Sequence, residues 1–370
     1  MSEEERYKAL LERALETIRD LQAREAAATA PIAVIGLGCR LPGGVTGPRD
    51  AWTLLREGRD AIGRVPADRW DADAWYDPDP ATPGHIVTRE GGFLDDVAGF
   101  DAALFGMAPA EARATDPQHR VLLEVAWQAL EHAGLPPLDP GSSRTGVYVG
   151  INANDHGLKV ARDPRAIDPY TGAADVSSGA PGRVAHALGL AGPTIAVDAA
   201  CAASLATVHL ACQALRTREC DLALAGGVNL LLSPEPSVYM SRAGALAPDG
   251  RCKAFAADAD GIGRGEGAGM AVLKRLDDAQ RDGDPVMAVI HGSAVNHDGH
   301  SGGFTVPNAD AQAAVIQAAL DQAGCSPHDL QVLEAHGTGT PLGDPIELQA
   351  LGRVMAGREA PLLVGSVKTN

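Results

Sequence analysis

The feature that most constrains this chain is a repeated alternation, after residue 31, of short apolar runs with longer helical stretches. This order predicts an α/β architecture with largely buried sheets. The predicted strands lie at 32–35, 145–149, 194–197, 222–225, 268–273, 287–292, 332–334 and 362–364. The predicted helices lie at 117–132, 204–216, 309–323 and 345–355.

Composition limits what can fill these sheets. Aromatic residues make up 4% of the 370 residues, so alanine, valine, leucine and isoleucine must build the core. With 45% hydrophobic and 21% charged residues the composition is that of a globular protein, and the length indicates two or more core-forming units.

Charge and cysteine usage exclude several classes of protein. The 48 acidic residues outnumber the 31 Lys and Arg, and a net charge of −17 argues against a general nucleic-acid-binding protein. No signal-peptide pattern is present, and no apolar run approaches the ~18 residues of a membrane span. The six cysteines form no CxxC pair, so a disulfide framework and a zinc ribbon are both excluded. We therefore expect a cytoplasmic protein with no membrane partner.

Residues 1–30 form a separate segment. Its apolar residues are spaced 4, 3, 4 and 3 apart, which is the a/d pattern of a coiled coil, and they are Tyr7, Leu11, Ala14, Ile18 and Leu21. We predict a short dimerising or docking helix followed by a linker. The alternative is a solvated amphipathic helix that lies on the body, because three heptads are few for an isolated coiled coil.

The strongest candidate for a catalytic residue is Cys201. The predicted strand 194–197 leads through small residues into this cysteine, and a predicted helix begins close after it. Small neighbours permit the sharp strand-to-helix turn of a nucleophile elbow. A sulfur at a helix N-terminus faces unpaired N–H groups, which favour the thiolate. The alternative is a buried structural cysteine, and we predict that role for Cys212 and Cys220.

The second candidate is His336, which follows a predicted strand at 332–334. Site residues in open α/β sheets lie at such strand ends. Gly337 and Gly339 permit close approach to a ligand, and Thr338 and Thr340 supply hydroxyl groups that we predict to bind substrate. Further on, Asp344 and Glu347 have the spacing of a cap and a capping-box partner for the next helix.

Three other motifs carry weaker predictions. Gly36 and Gly38 resemble the start of a dinucleotide fingerprint, but Leu41 stands where the third glycine belongs. The glycine-dense stretch 261–269 precedes a strand and is interpreted as a flexible surface or gating loop. His297 and His300 have no third partner for a metal, so no metal site is predicted.

Together the motifs resemble the ketosynthase domain of modular type I polyketide synthases, a branch of the thiolase-like condensing enzymes. The resemblance extends from Pro31 to Asn370. It rests on the ordered segments 32–44, 116–124, 182–193, 194–205, 248–255, 336–340 and 367–370. The segment 1–30 is similar to the docking coiled coil found where such a synthase polypeptide begins with a ketosynthase.

The resemblance implies a role for each candidate. Cys201 would take an acyl chain as a thioester from the 4'-phosphopantetheine of an acyl carrier protein. His336 would stabilise the enolate formed when a malonyl-type extender loses CO2. Lys368 belongs to the Lys-Thr-Asn motif and would support the site. No cofactor would bind directly, and no metal or nucleotide would be required. The predicted activity is decarboxylative Claisen condensation, an acyltransferase reaction.

The chain departs from the family in two respects. The family has a second histidine five residues after the lysine, and then a glycine-rich loop that completes an oxyanion hole. Both would lie beyond Asn370, so we expect the sequence to be truncated. The family also has Thr-Ala-Cys-Ser-Ser-Ser around the nucleophile, where this chain has alanine at 199, 200, 202 and 203. The lost hydroxyls change the polarity of the pocket and leave the nucleophile in place.

The resemblance also implies an architecture. We expect a thiolase-like, layered αβαβα fold of two similar halves, at about 31–280 and an incomplete 281–370, after a short coiled-coil helix. The expected partners are acyl carrier protein domains, a second copy in a homodimer, and an upstream polyketide synthase subunit that docks on the helix.

Three alternatives stay open. One is a fatty-acid 3-oxoacyl synthase, although the docking-like helix and the long stretch 40–116 favour the modular kind. Another is a catalytically incompetent, truncated or non-elongating ketosynthase that acts as a dimeric scaffold; the presence of both Cys201 and His336 argues against the variants that lack them. The third is a dinucleotide oxidoreductase that uses Gly36 and Gly38.

Overall fold

The computed structural model describes residues 3–139, 144–161, 163, 165, 167, 169–303 and 305–370. The strands are β1 Ile32–Arg40, β2 Ile62–Arg64, β3 Glu90–Gly92, β4 Thr145–Gly150, β5 Thr194–Val197, β6 Leu222–Asn229, β7 Gly267–Arg275, β8 Ala288–Ile290, β9 Val332–Glu334 and β10 Leu363–Gly365. The helices are α1 Glu3–Ala28, α2 Pro48–Glu57, α3 Pro109–Ala114, α4 Pro117–His132, α5 Asp155–Ala161, α6 Thr171–Ala174, α7 Gly179–Leu188, α8 Ala203–Arg216, α9 Glu235–Arg242, α10 Leu276–Asp282, α11 Ala309–Ala323 and α12 Gly343–Val354.

The main sheet orders its strands β5-β4-β6-β7-β1-β8. β5, β4 and β6 are parallel, whereas β7 runs antiparallel to both β6 and β1. The parallel strands are joined by α7 and α8, as crossover connections require. Because the chain moves outward from β4 to β5 and then back past β4 to β6, the two right-handed crossovers place α7 and α8 on opposite faces.

Apolar clusters cover both faces of this sheet, which confirms the prediction of a largely buried sheet. On one face, α4 and α7 pack against the sheet through fully buried residues such as Leu122, Val125 and Val184. On the other, α8 contributes Cys212 and Leu215 to a second cluster. These cores are almost entirely aliphatic, as the low aromatic content predicts.

The prediction of a capped helix at 117–132 is also confirmed. The Asp116 carboxylate accepts the N–H of Gln118 at 2.8 Å, and Pro117 is the first residue of α4.

The glycines of β1 have a packing role. β1 continues through Gly36 and Gly38 to Arg40. A dinucleotide-binding strand would instead end at the first of these glycines. A Cβ on Gly38 would lie 2.9 Å from the N of Ala129 in α4 and closer still to the Val125 carbonyl. The two glycines therefore let β1 touch the backbone of α4, and this close contact accounts for the resemblance to a dinucleotide fingerprint.

This contact makes Gly38→Ala a stringent test of the fold. The added methyl group has no free space, so β1 and α4 must separate, and we expect a loss of about 2 kcal/mol in the free energy of unfolding. Urea denaturation measures the loss. Gly47→Ala is the matched control, because a Cβ there meets nothing within 4 Å. Equal stability of the two variants would contradict the β1–α4 contact.

The C-terminal part has a smaller sheet. β9 and β10 pair in parallel, and α11 and α12 accompany them. Val332 in β9 and Leu363 in β10 remain 67% and 66% exposed. The C-terminal part thus adds a second, smaller sheet to the main one.

Arg216, the last residue of α8, connects these parts. It is 3% exposed, and its guanidinium donates to the carbonyls of Ala30 (3.0 Å) and His291 (3.3 Å) and to the side-chain oxygen of Gln322 in α11 (3.2 Å). One side chain therefore holds together the segment after α1, the segment after β8 and the helix α11.

The segment 1–30 contains the predicted helix. In α1, Tyr7 and Ile18 are 63% and 49% exposed, so these seam residues are not packed against the body. The side chains of Leu11 and Leu21 lie outside the described residues. Pairing with another helix stays a prediction. In the described part of the chain, no helix is both long and apolar enough to cross a membrane.

Candidate active site

Cys201 occupies a strand-to-helix turn. β5 ends at Val197, a 3-10 turn spans Ala200–Ala202, and α8 begins at Ala203. Ala200 has φ 48°, a left-handed conformation that residues other than glycine rarely adopt. Cys201 is exposed at this turn, whereas Cys212 and Cys220 are fully buried. Burial raises the pKa of these two other thiols to about 11, in accord with the packing role predicted for them.

The start of α8 rests on the carboxyl ends of β4 and β6. A Cβ on Gly150, the last residue of β4, would lie 2.8 Å from the carbonyl carbon of Ala203. In β6, a Cβ on Gly227 would overlap the Ser204 hydroxyl. Glycines at both strand ends thus bring the helix N-terminus and its cysteine directly onto the sheet. The Thr207 hydroxyl adds a bond from α8 to the sheet, because it donates to the carbonyl of Gly226 at 3.1 Å.

A cavity of about 560 Å³ opens beside Cys201. Its far wall is the glycine-dense segment, with Ile262, Gly263 and Gly265 among the residues that line it. The Asn229 side chain donates to the carbonyl of Gly265 at 2.9 Å and ties this wall to the end of β6. Most residues of 261–269 are buried or half-buried, so the prediction of a surface loop is wrong, and a gating role stays a prediction.

A buried ion pair fixes this wall. The side chains of Arg69 and Glu266 are 2% and 0% exposed, and the guanidinium meets both carboxylate oxygens at 3.0 Å. The same carboxylate accepts the backbone N–H groups of Leu94 and Leu231, each at 2.9 Å. Every lone-pair direction of a buried charge is thereby used, which offsets the cost of removing it from water.

The loop after β9 is held by two carboxylates. Glu347 accepts the N–H groups of His336 (2.7 Å) and Gly337 (2.8 Å). Asp344 accepts those of Gly339 (3.1 Å) and Phe255 (2.7 Å). The capping-box interpretation of these residues is therefore wrong. α12 begins at residue 343 without a side-chain cap, because both carboxylates bind backbone N–H groups outside the helix.

The structure brings His336 and Lys368 together. Lys368 Nζ donates to the His336 carbonyl at 2.6 Å. Although His336 reaches the surface, partial burial lowers the pKa of its imidazole, and the Lys368 ammonium lowers it further. The carboxylates of Glu347 and Asp344 act in the opposite direction and raise it. This shift favours the neutral ring, which keeps one N–H donor.

The glycines and threonines that follow His336 pack against protein. A Cβ on Gly337 would lie 2.6 Å from the Ser366 Cβ, and one on Gly339 would lie 2.5 Å from the N of Lys253. Both glycines thus permit close approach of neighbouring chain segments.

The hydroxyls of Thr338 and Thr340 lie 3.0 Å apart, and Thr340 also accepts the N–H of Gly343. These contacts give both threonines a place in the loop structure. Substrate binding by them stays a prediction.

Cys201 and His336 are connected indirectly. Among the described residues, those lining the Cys201 cavity include neither His336 nor Lys368. Lys368 lines an adjacent cavity of about 410 Å³ that shares the wall 263–266. The His336 loop packs on residue 253, and the Sγ of the adjoining Cys252 accepts the N–H of Gly263 at 3.3 Å. The glycine-dense wall thus contacts both the Cys201 cavity and the segment on which the His336 loop packs.

Several structural residues of this site escape detection by pattern. Glu266 stands between two glycines in a Gly-Arg-Gly-Glu-Gly run. A charged residue in such a run is a signal that could have identified it. Asp344 and Glu347 have a recognisable spacing, but that spacing suggests a capping box and not a contact with the backbone of the His336 loop. Arg69 lies 197 positions from its partner, and no local pattern marks it.

Two family models match the chain. The β-ketoacyl synthase N-terminal domain matches residues 29–279, and the β-ketoacyl synthase C-terminal domain matches residues 287–370.

Curated relatives are much longer than this chain. A phenolphthiocerol/phthiocerol polyketide synthase subunit of Mycobacterium tuberculosis is 55% identical over 344 residues, which are 93% of this chain and 22% of the relative. A different phenolphthiocerol/phthiocerol polyketide synthase subunit, from Mycobacterium bovis, is 54% identical over 92% of this chain and 19% of its own length. The chain thus spans about a fifth of these relatives.

Solved ketosynthases share the fold. The oxazolomycin ketosynthase domain OzmH KS7 of Streptomyces albus JA3453 superposes with a TM-score of 0.86 at 42% identity, covering 92% of this chain and 59% of that one. The ketosynthase from module 6 of the bacillaene synthase of Bacillus subtilis 168 gives 0.83 at 40% identity over 92% and 57%. With its thiolase-like fold and both family models matched in order, the chain belongs to the β-ketoacyl synthase family, as a ketosynthase domain of the polyketide synthase type.

Proposed function

We propose that this chain elongates a polyketide by decarboxylative Claisen condensation. The observation that carries the proposal is Cys201, an exposed thiol that lies at the N-terminus of α8 and lines a cavity of about 560 Å³. The phthiocerol polyketide synthase subunits among its relatives favour a polyketide over a fatty-acid product.

The reaction has two steps. First the Cys201 thiolate attacks the carbonyl carbon of an acyl thioester, and the bond from that carbon to the phosphopantetheine sulfur breaks. The phosphopantetheine of the acyl carrier protein leaves as a thiolate, which takes up the proton that Cys201 gave up on ionising. Then a malonyl-type extender on another carrier loses CO2, and its α-carbon attacks the thioester on Cys201. The carbon–carbon bond forms as the carbon–sulfur bond breaks, which frees Cys201 and leaves a β-ketoacyl chain on the carrier. Neither step needs a metal or a directly bound cofactor.

His336 supports the second step in this proposal. A neutral imidazole can donate its ring N–H to the oxygen of the enolate that forms as CO2 leaves. The hydrogen bonds from the backbone N–H groups of residues 336 and 337 to Glu347 hold the backbone that carries this ring in place. Lys368 acts from the other side, through the His336 carbonyl.

A second copy of the chain is the proposed permanent partner. β5 is an edge strand, and Ile195 within it is 43% exposed. In the described residues, no strand pairs with the outer side of β5, which leaves its backbone groups available to another chain. Self-pairing of such an edge about a two-fold axis would produce a homodimer.

Two further proposals concern the N-terminal segment and the division of the domain. We propose that 1–30 binds an upstream polyketide synthase subunit, which the exposed Tyr7 and Ile18 of α1 support. We also propose a division of 31–370 near residue 280, which the ends of the two family matches support.

Mass spectrometry tests the proposed function. After incubation with an acyl thioester, the peptide that contains Cys201 should carry the acyl mass, and addition of a malonyl thioester should release it as a β-ketoacyl product. An unmodified Cys201 in the wild-type protein would contradict the activity and favour the non-catalytic dimeric scaffold.

Replacement of His336 with alanine should separate the two steps. We expect Cys201 acylation to stay within about 3-fold of wild type, whereas extender decarboxylation falls about 100-fold, because a preorganised donor to the enolate is lost. Isotope-labelled CO2 release measures the second step. His328→Ala, on an exposed turn, is the control and should change neither step. Wild-type decarboxylation in His336→Ala would contradict the role of His336.

A further inference from the structure

The turn that carries Cys201 is strained at one residue. Ala200 has φ 48°, although its side chain has a Cβ that clashes in this region of backbone space. The two residues after Cys201 are ordinary: Ala202 has φ −86° and Ala203 has φ −53°. Because the backbone of Ala200 leads directly into Cys201, its conformation sets the direction in which the thiol leaves the turn.

One side chain bonds directly to this strained residue. The backbone N–H of Ala200 donates to Oδ1 of Asp198 at 3.1 Å. Asp198 follows the last residue of β5, which is itself fixed, because the Val197 carbonyl accepts the N–H of Ile151 at 3.1 Å. The carboxylate therefore connects a rigid strand end to the one residue of the turn that would relax if it were released.

The other hydrogen bonds of the turn are local to it. The N–H of Ala202 donates to the Ala199 carbonyl at 3.0 Å, and the N–H of Ala203 donates to the Ala200 carbonyl. Both bonds lie within the turn and would move with it. Alanines at 199, 200, 202 and 203 add no side-chain hydrogen bond.

We propose that Asp198 is a positioning residue, which keeps Ala200 in its left-handed conformation and so aims the Cys201 thiol into the cavity. This inference rests on the proposed function for its biological meaning. The position of the thiol itself is measurable without any condensation reaction.

The experiment measures alkylation of Cys201 by iodoacetamide, followed by mass spectrometry of its peptide. We expect Asp198→Ala to slow alkylation about 10-fold, since one hydrogen bond of ordinary net strength is lost. Asp198→Asn retains the acceptor oxygen and should stay within about 3-fold of wild type. Adding Ala200→Gly to Asp198→Ala should restore the rate, because glycine adopts a left-handed conformation without a clash.

The glycine rescue separates positioning from general stability. Asp96→Ala is the matched control, because Asp96 also accepts nearby N–H groups, of Ala98 and Gly99, on a loop outside the cavity. It should leave Cys201 alkylation unchanged. An unchanged or faster rate in Asp198→Ala, or a double variant no faster than Asp198→Ala, would overturn the inference. If Asp198→Ala unfolds, recovery of both folding and rate in the double variant supports it, and failure to recover overturns it.

The same experiment keeps the two proposals apart. A wild-type protein that is alkylated at Cys201 but takes no acyl group from a thioester would contradict the proposed function and leave the role of Asp198 standing. Normal acylation together with an unaffected Asp198→Ala variant would contradict only the role of Asp198.

Discussion

Replacing Cys201 with serine is expected to reduce acylation by an acyl thioester about 1,000-fold, because a neutral hydroxyl replaces a thiolate as the attacking group. The substitution is nearly isosteric and lies at an exposed position, so the fold should be unaffected. Intact-protein mass spectrometry over a time course measures the rate.

A second cysteine variant makes this result specific. Cys325 is a half-buried free thiol that does not line the Cys201 cavity. Cys325→Ser should therefore acylate at the wild-type rate. If Cys201→Ser still acquires the acyl group while Cys325→Ser does not, the nucleophile has been assigned to the wrong cysteine.

The largest loss of stability is expected from Arg69→Met. This change leaves the buried Glu266 carboxylate with two backbone donors and without its ion-pair partner, and breaking a buried pair in this way costs about 3–5 kcal/mol. Urea denaturation monitored by circular dichroism gives the free energy of unfolding.

The control for Arg69 is an exposed arginine. Arg64 pairs with Asp73, and both side chains are more than half exposed, so Arg64→Met should change stability by about 0.5 kcal/mol at most. Replacing Glu266 with leucine as well as Arg69 with methionine should not restore full stability, because the backbone N–H groups of residues 94 and 231 would then lose their acceptor. Equal effects of Arg69→Met and Arg64→Met would show that the buried pair does not fix the wall.

Much of the fold can be predicted from local sequence. The helices at 117–132 and 309–323 match α4 and α11 at both ends, because a cap, a first-turn proline or a C-terminal glycine marks each boundary. The strands at 145–149, 194–197 and 332–334 are confirmed to within one residue. These elements carry their signals within a few residues of themselves.

The elements that local sequence misses depend on distant partners or carry weak patterns. β2 and β3 have three residues each, with glycine in both, so no alternation of apolar and polar residues can develop. α7 contains two glycines and a proline within ten residues, which conceals its helical period. The predicted strand at 32–35 is shorter than β1 because the glycines that follow suggest a turn, and only the contact with α4 explains them.

The same limit applies to the site. The nucleophile candidate Cys201 and the partner pair His336 and Lys368 follow from motifs and a family resemblance. The sequence draws attention to Asp344 and Glu347 but suggests that they cap their own helix. The same residue spacing serves a capping box and carboxylates that bind the backbone of a neighbouring loop. Long-range contacts decide between the two, and a single sequence does not contain them.

Arg216 has a consequence for protein engineering. A junction near residue 280, between the two matched halves, is a convenient place to join parts of different ketosynthases. Such a junction would pair the arginine at the end of α8 with a foreign residue at the position of Gln322, and with a foreign backbone at His291. Functional hybrids should therefore exchange α8, the segment after α1 and α11 as one block, with crossover points outside all three.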